Sequence, residues 1–360
     1  MKIPINIPDI DNEEIRTVRH VLSEKSLTSS SFDGGIHVQQ FEKLISKFVK
    51  SKFTIAVNSG TSALQACLHA LDIKSGDEVL VPSFTFVATA NSVKAVGAKP
   101  VFVDILRENY TMDPDDLSKK VTKRTKAIIP VHLYGHIAYM EEIIEVAKKN
   151  NLKIIEDASQ SLGSKFKQKH SGTFSNLGCF SFYGTKVMTS GEGGAIVTNE
   201  KNLCEKLKQI RNHGHTKNNL VTRLGLNLRL SEINAAIGKI QMKKLPSFLK
   251  QRKNNAKILT NLLQNCDVVL PKQRKHETLN WYLYTVAHKD RNKIMKKLNS
   301  LGIDATVYYS TPIHKTPYYQ TKKNLANTEW ASSHVLSLPV HPKVRKKDLE
   351  KIQSVLNSRS

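Results

Sequence analysis

Two residues of this chain have the types and setting that carbonyl chemistry on an organic cofactor needs. Lys186 is the only lysine in a stretch of aromatic, small, hydroxyl and glycine residues at 179–195. Asp157, 29 positions earlier, closes an apolar run. A lysine can form a Schiff base with pyridoxal phosphate (PLP), and a carboxylate can keep the ring nitrogen protonated so that the ring accepts electrons. The pair predicts PLP chemistry; a surface lysine and a helix-capping aspartate are the alternatives.

The elements that position this pair alternate between strand and helix patterns. We predict strands at 53–57, 78–82, 100–104, 126–132, 152–157 and 194–198, and helices at 61–71, 88–96 and 140–150. Such βαβ units indicate an α/β fold with a mostly parallel sheet that is covered on both faces. Ligands in these folds bind at the carboxyl ends of the strands. Polar residues follow those ends at 58–61, 83–86 and 157–160.

A phosphate site is predicted where the first of these strands passes into a helix. Ser59, Gly60 and Thr61 lie at that passage, where free backbone N–H groups and hydroxyls suit an anion. Ser181, five positions before Lys186, can bring a further hydroxyl to the same phosphate. The alternative is an ordinary serine or threonine N-cap.

Two more side chains are candidates for contacts with the cofactor ring. Phe86 follows the second predicted strand and can stack on a flat ring, or it can belong to the core. Gln160, three residues after Asp157, can cover the hydroxyl side of the ring or face solvent.

The pattern of predicted elements and the lysine content of the chain change near residue 247. Lysine-rich helical segments lead to a predicted strand at 281–286, a helix at 291–301, an irregular aromatic segment at 308–319 and a last helix near 347–356. We therefore expect a large cofactor-binding domain with an N-terminal arm at residues 1–246 and a small C-terminal α/β domain at residues 247–360.

Composition narrows the class of protein further. No apolar run reaches the roughly 18 residues of a membrane span, and the first residues lack a signal-peptide core, so we expect a cytoplasmic protein without membrane association. The four cysteines lie far apart without a CxxC pair, which predicts neither a metal site nor a disulfide framework. The net charge of +24 fits general solubility, steering of an anionic small molecule or nucleic-acid binding. The lysines that carry this charge are dispersed along the chain, and no aromatic residues alternate with them as base stacking would require. We therefore expect no nucleic-acid partner.

Six segments together resemble the DegT/DnrJ/EryC1/StrS family of sugar aminotransferases. They are VNSGTSAL, VPSFTFVATAN, VHLYG, EDASQSLG, CFSFYGTKVMTSGEGG and GLNLRLSEINAAIG, in this order along nearly the whole chain. The resemblance implies the type I aminotransferase fold, with a seven-stranded, mostly parallel large domain and a smaller C-terminal domain. It also implies a homodimer with shared active sites and transfer of an amino group from L-glutamate to a nucleotide-linked keto sugar. The product would be an amino sugar nucleotide for glycan or polysaccharide biosynthesis.

The resemblance also implies a role for each matching residue. Lys186 would be the Schiff-base lysine and Asp157 the partner of the ring nitrogen. The remaining cofactor contacts would be Ser59, Gly60, Thr61, Phe86, Gln160 and Ser181, with Asn227 reaching the phosphate from the neighbouring subunit. Arg229 and His314 match positions that lie beside the sugar-nucleotide substrate in the family.

Sugar specificity is the part that the family pattern leaves open. The segment at 27–36 lacks the Gly-Pro turn that the family usually carries beside the substrate. Lys186 favours transamination, because dehydratases of the family carry histidine at that position. We expect amination at C4 of a keto-deoxy sugar, with C3 as the alternative. A PLP-dependent dehydratase or lyase, and a non-catalytic regulatory or nucleic-acid-binding relative, are the rival functions.

Overall fold

The computed structural model describes residues 2–321 and 323–357 of the chain. Its strands, in chain order, are β1 (Phe53–Val57), β2 (Glu78–Pro82), β3 (Lys99–Val103), β4 (Thr125–Ile128), β5 (Lys153–Asp157), β6 (Lys165–Phe166), β7 (Lys169–His170), β8 (Leu177–Ser181), β9 (Gly194–Thr198), β10 (Glu277–Thr278), β11 (Tyr284–Ala287) and β12 (Val335–Leu338).

The helices alternate with these strands in the first half of the chain and dominate the second half. They are α1 (Asn12–Glu24), α2 (Ile36–Val49), α3 (Gly60–Ala70), α4 (Ala88–Ala95), α5 (Pro114–Lys119), α6 (Met140–Lys149), α7 (Lys201–Arg211), α8 (Glu232–Leu263), α9 (Arg291–Ser300), α10 (Ala326–His334) and α11 (Lys346–Asn357). Short 3-10 turns lie at Leu133–Gly135 and Ile313–Lys315.

A seven-stranded sheet in the order β1-β9-β8-β5-β4-β2-β3 forms the centre of the molecule. Its strands β3, β2, β4, β5 and β8 are parallel, whereas β9 is antiparallel to both of its neighbours. The predicted α/β class with a mostly parallel sheet is confirmed. The small strands form a three-stranded sheet, β10-β6-β7, and a two-stranded sheet, β11-β12.

The sheet is buried on both faces, as continuous apolar strands predict. Ile55 and Ile155 pack with α3, α4 and α7 on one face, whereas Leu80 and Ile154 pack with α5 and α6 on the other. Neighbouring residues such as Ile154 and Ile155 thus enter opposite cores, because side chains alternate along a strand. Helices on both sides leave the carboxyl ends of the strands as the open edge of the sheet.

One predicted strand is shorter than expected, and the difference bears on Asp157. The strand predicted at 126–132 ends as β4 at Ile128, ahead of Pro130, which has no N–H to donate to a ladder. The chain nevertheless continues beside β5. The amide of Asp157 donates to the carbonyl of Pro130 (2.9 Å), and the amide of His132 donates to the carbonyl of Asp157 (3.0 Å). Two main-chain bonds therefore hold the aspartate backbone in place.

Helix α8 spans the position where the domain division is predicted. It is 32 residues long and contains Pro246 in its interior. Its contacts include α1 and α2 as well as the C-terminal helix α11. A single continuous helix therefore passes through the predicted boundary between residues 246 and 247.

The C-terminal elements share a core with the start of the chain. β11 and β12 pair in antiparallel fashion, and their apolar residues pack with α9, α11 and the end of α8. Ile3 belongs to the same core and bridges to Ile303. The predicted helices at 291–301 and 347–356 are present as α9 and α11. No helix in the described part of the chain is long and apolar enough to cross a membrane.

Candidate functional site

A cavity of about 440 Å³ opens at the carboxyl ends of β1, β2, β5 and β8. Eight of the eleven predicted site residues line it: Ser59, Gly60, Thr61, Phe86, Asp157, Gln160, Ser181 and Lys186. These residues come from four separate strand ends and one loop, so the parallel sheet brings together what the sequence spreads over more than 120 positions.

The N-terminus of α3 forms one end of the cavity. Ser59 is the N-cap, and its side chain accepts a hydrogen bond from the amide of Ser62 (3.0 Å). A Cβ atom at Gly60 would lie 2.9 Å from Cβ of Ser181, so glycine permits the close approach of α3 and β8. Gly194 allows a similar approach, because a Cβ there would lie 2.3 Å from the carbonyl oxygen of Ser59. Backbone amides and small hydroxyls remain at this end, which suits an anion.

Asp157 lies at the floor of the cavity with 5% of its surface exposed. Its Oδ2 accepts a hydrogen bond from the hydroxyl of Thr89 (2.9 Å), and its Oδ1 accepts one from the amide of Ser159 (3.2 Å). Thr89 is itself buried and is not among the site residues predicted from the sequence. The segment VPSFTFVATAN contains a signal for this residue. Thr89 lies one helical turn after Phe86 and Thr85, so it can face the same cavity as they do.

Lys186 lies in the loop that follows β8, and its side chain is half-buried. The amide of Lys186 donates to the carbonyl of Tyr183 (3.0 Å). The Nζ atom lies 5.1 Å from the ring centre of Tyr282, which precedes β11 and is not among the site residues predicted from the sequence. Lys186 is the only lysine or arginine among the described residues that line the cavity.

Tyrosines form a second wall of the cavity. Tyr282, Tyr308 and Tyr309 line the cavity, and burial raises the pKa of both Tyr308 and Tyr309 above the ordinary value. Gln160 joins the two walls: its Nε2 donates to the hydroxyl of Tyr309 (2.7 Å), and its Oε1 accepts from the amide of Tyr134 (2.9 Å). Gln160 is 7% exposed, so it is not the solvated residue of the alternative interpretation.

Aromatic side chains remain open to solvent at the mouth of the cavity. Phe86 is 62% exposed and Tyr183 is 50% exposed. The core interpretation of Phe86 is therefore wrong. Large apolar side chains left open beside a cavity are typical of a ligand site.

Three predicted site residues lie outside the lining of this cavity. Asn227 is exposed, and its carbonyl accepts from the side chain of Asn58 (3.3 Å). Arg229 donates to the side chain of Asn212 (2.8 Å).

His314 is fully buried near the cavity but does not line it. Its Nδ1 lies 2.7 Å from the hydroxyl of Ser83, and its Nε2 lies 3.2 Å from a carboxylate oxygen of Glu329. Burial lowers the pKa of His314. Both ring nitrogens are thus engaged within the chain.

Comparison with known proteins identifies the family. The family model described as the DegT/DnrJ/EryC1/StrS aminotransferase family matches residues 8–357. The chain is 35% identical to a dTDP-3-amino-3,4,6-trideoxy-alpha-D-glucose transaminase of Streptomyces venezuelae, over 92% of this chain and 89% of the relative. It is also 35% identical to a 3-oxo-glucose-6-phosphate:glutamate aminotransferase of Bacillus subtilis, over 96% of this chain and 81% of the relative.

Solved structures agree with this assignment. The structure of S. venezuelae DesV, solved with a ketimine intermediate, superposes with a TM-score of 0.93 at 31% identity over 99% of this chain and 100% of DesV. The PLP form of Spr1654 from Streptococcus pneumoniae, described as a putative sugar aminotransferase, gives a TM-score of 0.92 at 25% identity over 99% and 98% of the two chains. The chain belongs to the DegT/DnrJ/EryC1/StrS aminotransferase family.

Proposed function

We propose that this protein transfers the amino group of L-glutamate to a keto carbon of a nucleotide-linked deoxy sugar, with PLP as cofactor. The observation that carries the proposal is that Lys186 and Asp157 line one cavity, together with the N-terminus of α3. The S. venezuelae relative is named for a dTDP-linked amino sugar, which supports the substrate class. The B. subtilis relative is named for glutamate, which supports the donor.

The residues of the cavity fit PLP. The phosphate would be held by the hydroxyls of Ser59, Thr61 and Ser181 and by the backbone amides at the start of α3. Gly60 has no side chain that could block the phosphate from these amides. Phe86 would stack on the ring, with a contact energy of about 1 kcal/mol. Gln160 would lie near the 3-hydroxyl group of the ring. When bound, PLP supplies the electron sink for breaking bonds at the substrate carbon.

Lys186 and Asp157 would perform the proton chemistry. The amine of Lys186 would hold the cofactor in the resting enzyme and, once the substrate has displaced it, would take the proton from the α-carbon of glutamate. In the second half of the cycle it would return a proton to the sugar carbon. Asp157 would keep the ring nitrogen protonated, with its carboxylate held by Thr89 and the amide of Ser159. Glutamate leaves as 2-oxoglutarate, and the keto sugar leaves as an amino sugar.

A homodimer with shared active sites is part of the proposal. Glutamate carries two carboxylates and a nucleotide sugar carries a diphosphate, yet Lys186 is the one lysine or arginine among the described lining residues. Buried anions need cationic or hydrogen-bonding partners. Asn227 and Arg229 of a second copy would supply them, with Asn227 at the phosphate and Arg229 beside the substrate. His314 is proposed as the contact of the small domain with the sugar nucleotide, which requires its bond to Ser83 or Glu329 to open.

The position of amination is proposed as C4 of a keto-deoxy sugar on the family resemblance alone, and C3 is the second candidate. The names of both the S. venezuelae and the B. subtilis relatives carry position 3, which favours C3. The B. subtilis name also specifies a sugar phosphate rather than a sugar nucleotide. A panel of 3-keto and 4-keto sugars, linked to nucleotides or to phosphate, incubated with glutamate and analysed by mass spectrometry and NMR, distinguishes these substrates.

The proposed role of Lys186 is tested with Lys186→Ala. We expect the variant to lose the absorbance band that PLP acquires when bound to a lysine, and turnover to fall by at least about 10³-fold, since a positioned acid–base group contributes about 10²–10⁴-fold. Lys217→Ala, in an exposed loop, is the matched control. Normal turnover by Lys186→Ala would refute the assignment. Failure of glutamate to convert the wild-type cofactor to its amine form would favour the dehydratase, lyase or regulatory alternatives.

A further inference from the structure

The first residues of the chain form an arm that connects the C-terminal core to the loop of Lys186. We call residues 2–10 the N-terminal arm. The amide of Ile3 donates to the carbonyl of Gly302 (2.7 Å), and the amide of Asp304 donates to the carbonyl of Ile3 (2.8 Å). Further along, the side chain of Gln241 in α8 donates to the carbonyl of Asp9 (2.8 Å). The arm is thus fixed at both ends.

Between these two ends, Asn6 contacts the main chain of the lysine itself. Its Nδ2 donates to the carbonyl of Lys186 (3.2 Å) and also to the carbonyl of Thr185. The segment from 182 to 190 contains no helix or strand beyond the end of β8. A side-chain amide that bridges two successive carbonyls therefore restrains a segment that secondary structure does not hold.

The other end of the Asn6 side chain is bound by a buried arginine. Arg252, in α8, is 1% exposed, and its Nη2 donates to Oδ1 of Asn6 (2.6 Å). In the described part of the chain no ion pair joins it to a carboxylate, and burial lowers its pKa to about 10. A buried guanidinium without an anionic partner is costly, so its neutral acceptors have to be well placed.

The same guanidinium also binds the main chain of a second segment that contacts Lys186. Its Nη1 donates to the carbonyls of Trp281 (3.3 Å) and Tyr282 (3.2 Å). The ring of Tyr282 lies beneath Nζ of Lys186. Arg252 therefore holds the carbonyl of the residue whose ring contacts the amine, and through Asn6 it holds the carbonyl of the lysine.

We propose that Asn6, oriented by Arg252, is a positioning residue for Lys186, and that the N-terminal arm couples the placement of this lysine to the C-terminal core. The proposal rests on the proposed function only for its consequence in catalysis. The restraint on the loop is a property of the chain without cofactor. Asn6 fixes the main chain from which the amine extends, so its loss lets the amine sample unproductive positions. Misplacement of a reacting group by about 1 Å can reduce a rate about 10²-fold.

The restraint is tested first on cofactor-free protein by hydrogen–deuterium exchange of the amides at 183–190. In Asn6→Ala we expect exchange there to be at least about tenfold faster, which corresponds to the loss of one or two hydrogen bonds. Asn150→Ala is the matched control, because its Nδ2 donates to a main-chain carbonyl at the exposed end of α6. Equal exchange in wild type and Asn6→Ala would overturn the proposal. So would faster exchange spread evenly over the chain, which would reveal only a loss of global stability.

Asn6→Asp separates the two contacts of the side chain. The carboxylate can still accept from Arg252, but it cannot donate to the carbonyls of Thr185 and Lys186. We therefore expect the arm to stay protected from exchange while the loop at 183–190 exchanges as fast as in Asn6→Ala. Wild-type exchange in that loop would show that the donor groups of Asn6 are unnecessary and would refute the proposal.

The consequence for catalysis is tested on protein loaded with PLP. We expect Asn6→Ala and Asn6→Asp to retain the absorbance band of lysine-bound PLP, to shift the pH midpoint of that band and to lower kcat by about tenfold with little change in KM. An unchanged midpoint and kcat would overturn the positioning role. If Lys186→Ala retained the band as well, the proposed function would fail, whereas the exchange result would still stand for the restraint.

Discussion

The two walls of the cavity are built by different means. The wall at the strand ends uses short side chains and backbone amides at Ser59, Gly60 and Asp157, placed by a sheet that is buried on both faces. The second wall uses the large rings of Tyr282 and Tyr309, which come from irregular segments around the C-terminal core. The first wall depends on close backbone approach, and the second depends on side-chain packing. Substitutions on the first wall should therefore be more damaging than comparable ones on the second.

Gly60→Ala is expected to have the largest effect among the substitutions that compare the walls. Its new Cβ would lie 2.9 Å from Cβ of Ser181, so α3 and β8 would have to move apart. Overpacking of this kind costs about 1–3 kcal/mol of free energy. Because Gly60 lies at the proposed phosphate site, we expect the affinity for PLP to fall by up to about 10²-fold. Equilibrium dialysis or absorbance titration with PLP measures this change.

Gly184→Ala is the matched control for this substitution. A Cβ at Gly184 meets no atom within 4 Å, and the residue lies only two positions from Lys186. We expect its PLP affinity to remain near that of the wild type. Equal loss of affinity in both variants would show that the close approach of α3 and β8 is not what holds the phosphate.

Thr89→Val is expected to have an intermediate effect on the same wall. It removes the hydroxyl that donates to Oδ2 of Asp157 at 2.9 Å while keeping a similar side-chain volume. A hydrogen bond to a charged group contributes about 1.5–3 kcal/mol, so we expect kcat to fall by about tenfold or more. Because the carboxylate would be less restrained and less stabilised, the pH midpoint of the PLP absorbance band should also shift. Thr89→Ser should restore both properties.

Thr111→Val provides the comparison for Thr89→Val. The hydroxyl of Thr111 is also buried, and it donates to the side chain of Asn109 away from the cavity. We expect Thr111→Val to lower the melting temperature without shifting the absorbance midpoint. If both variants shifted the midpoint, the effect would come from general loosening rather than from Asp157.

The same contrast explains which parts of the site the sequence could predict. Ser59, Asp157 and Ser181 each follow or end a strand whose apolar run is visible locally, and a parallel sheet gathers such ends at one edge. Tyr282 and Asn6 carry no such local pattern. Their positions near Lys186 depend on the packing of α8 and the N-terminal arm, and Asn6 is 180 residues from the lysine carbonyl that it contacts. His314 shows the same limit, because its bond to Ser83 joins segments 231 positions apart.

Tyr309→Phe is expected to have the smallest effect and tests the wall made of rings. The substitution keeps the ring and removes the hydroxyl that accepts from Gln160 at 2.7 Å. A neutral hydrogen bond contributes about 1 kcal/mol, so we expect about a fivefold rise in KM for the sugar with little change in kcat. Tyr284→Phe is the control, because it loses an equivalent bond to Thr260 (2.8 Å) inside the C-terminal core. A loss of activity in Tyr309→Phe as large as that in Thr89→Val would mean that both walls depend on single polar contacts. The distinction between a wall built by backbone approach and one built by packing would then fail.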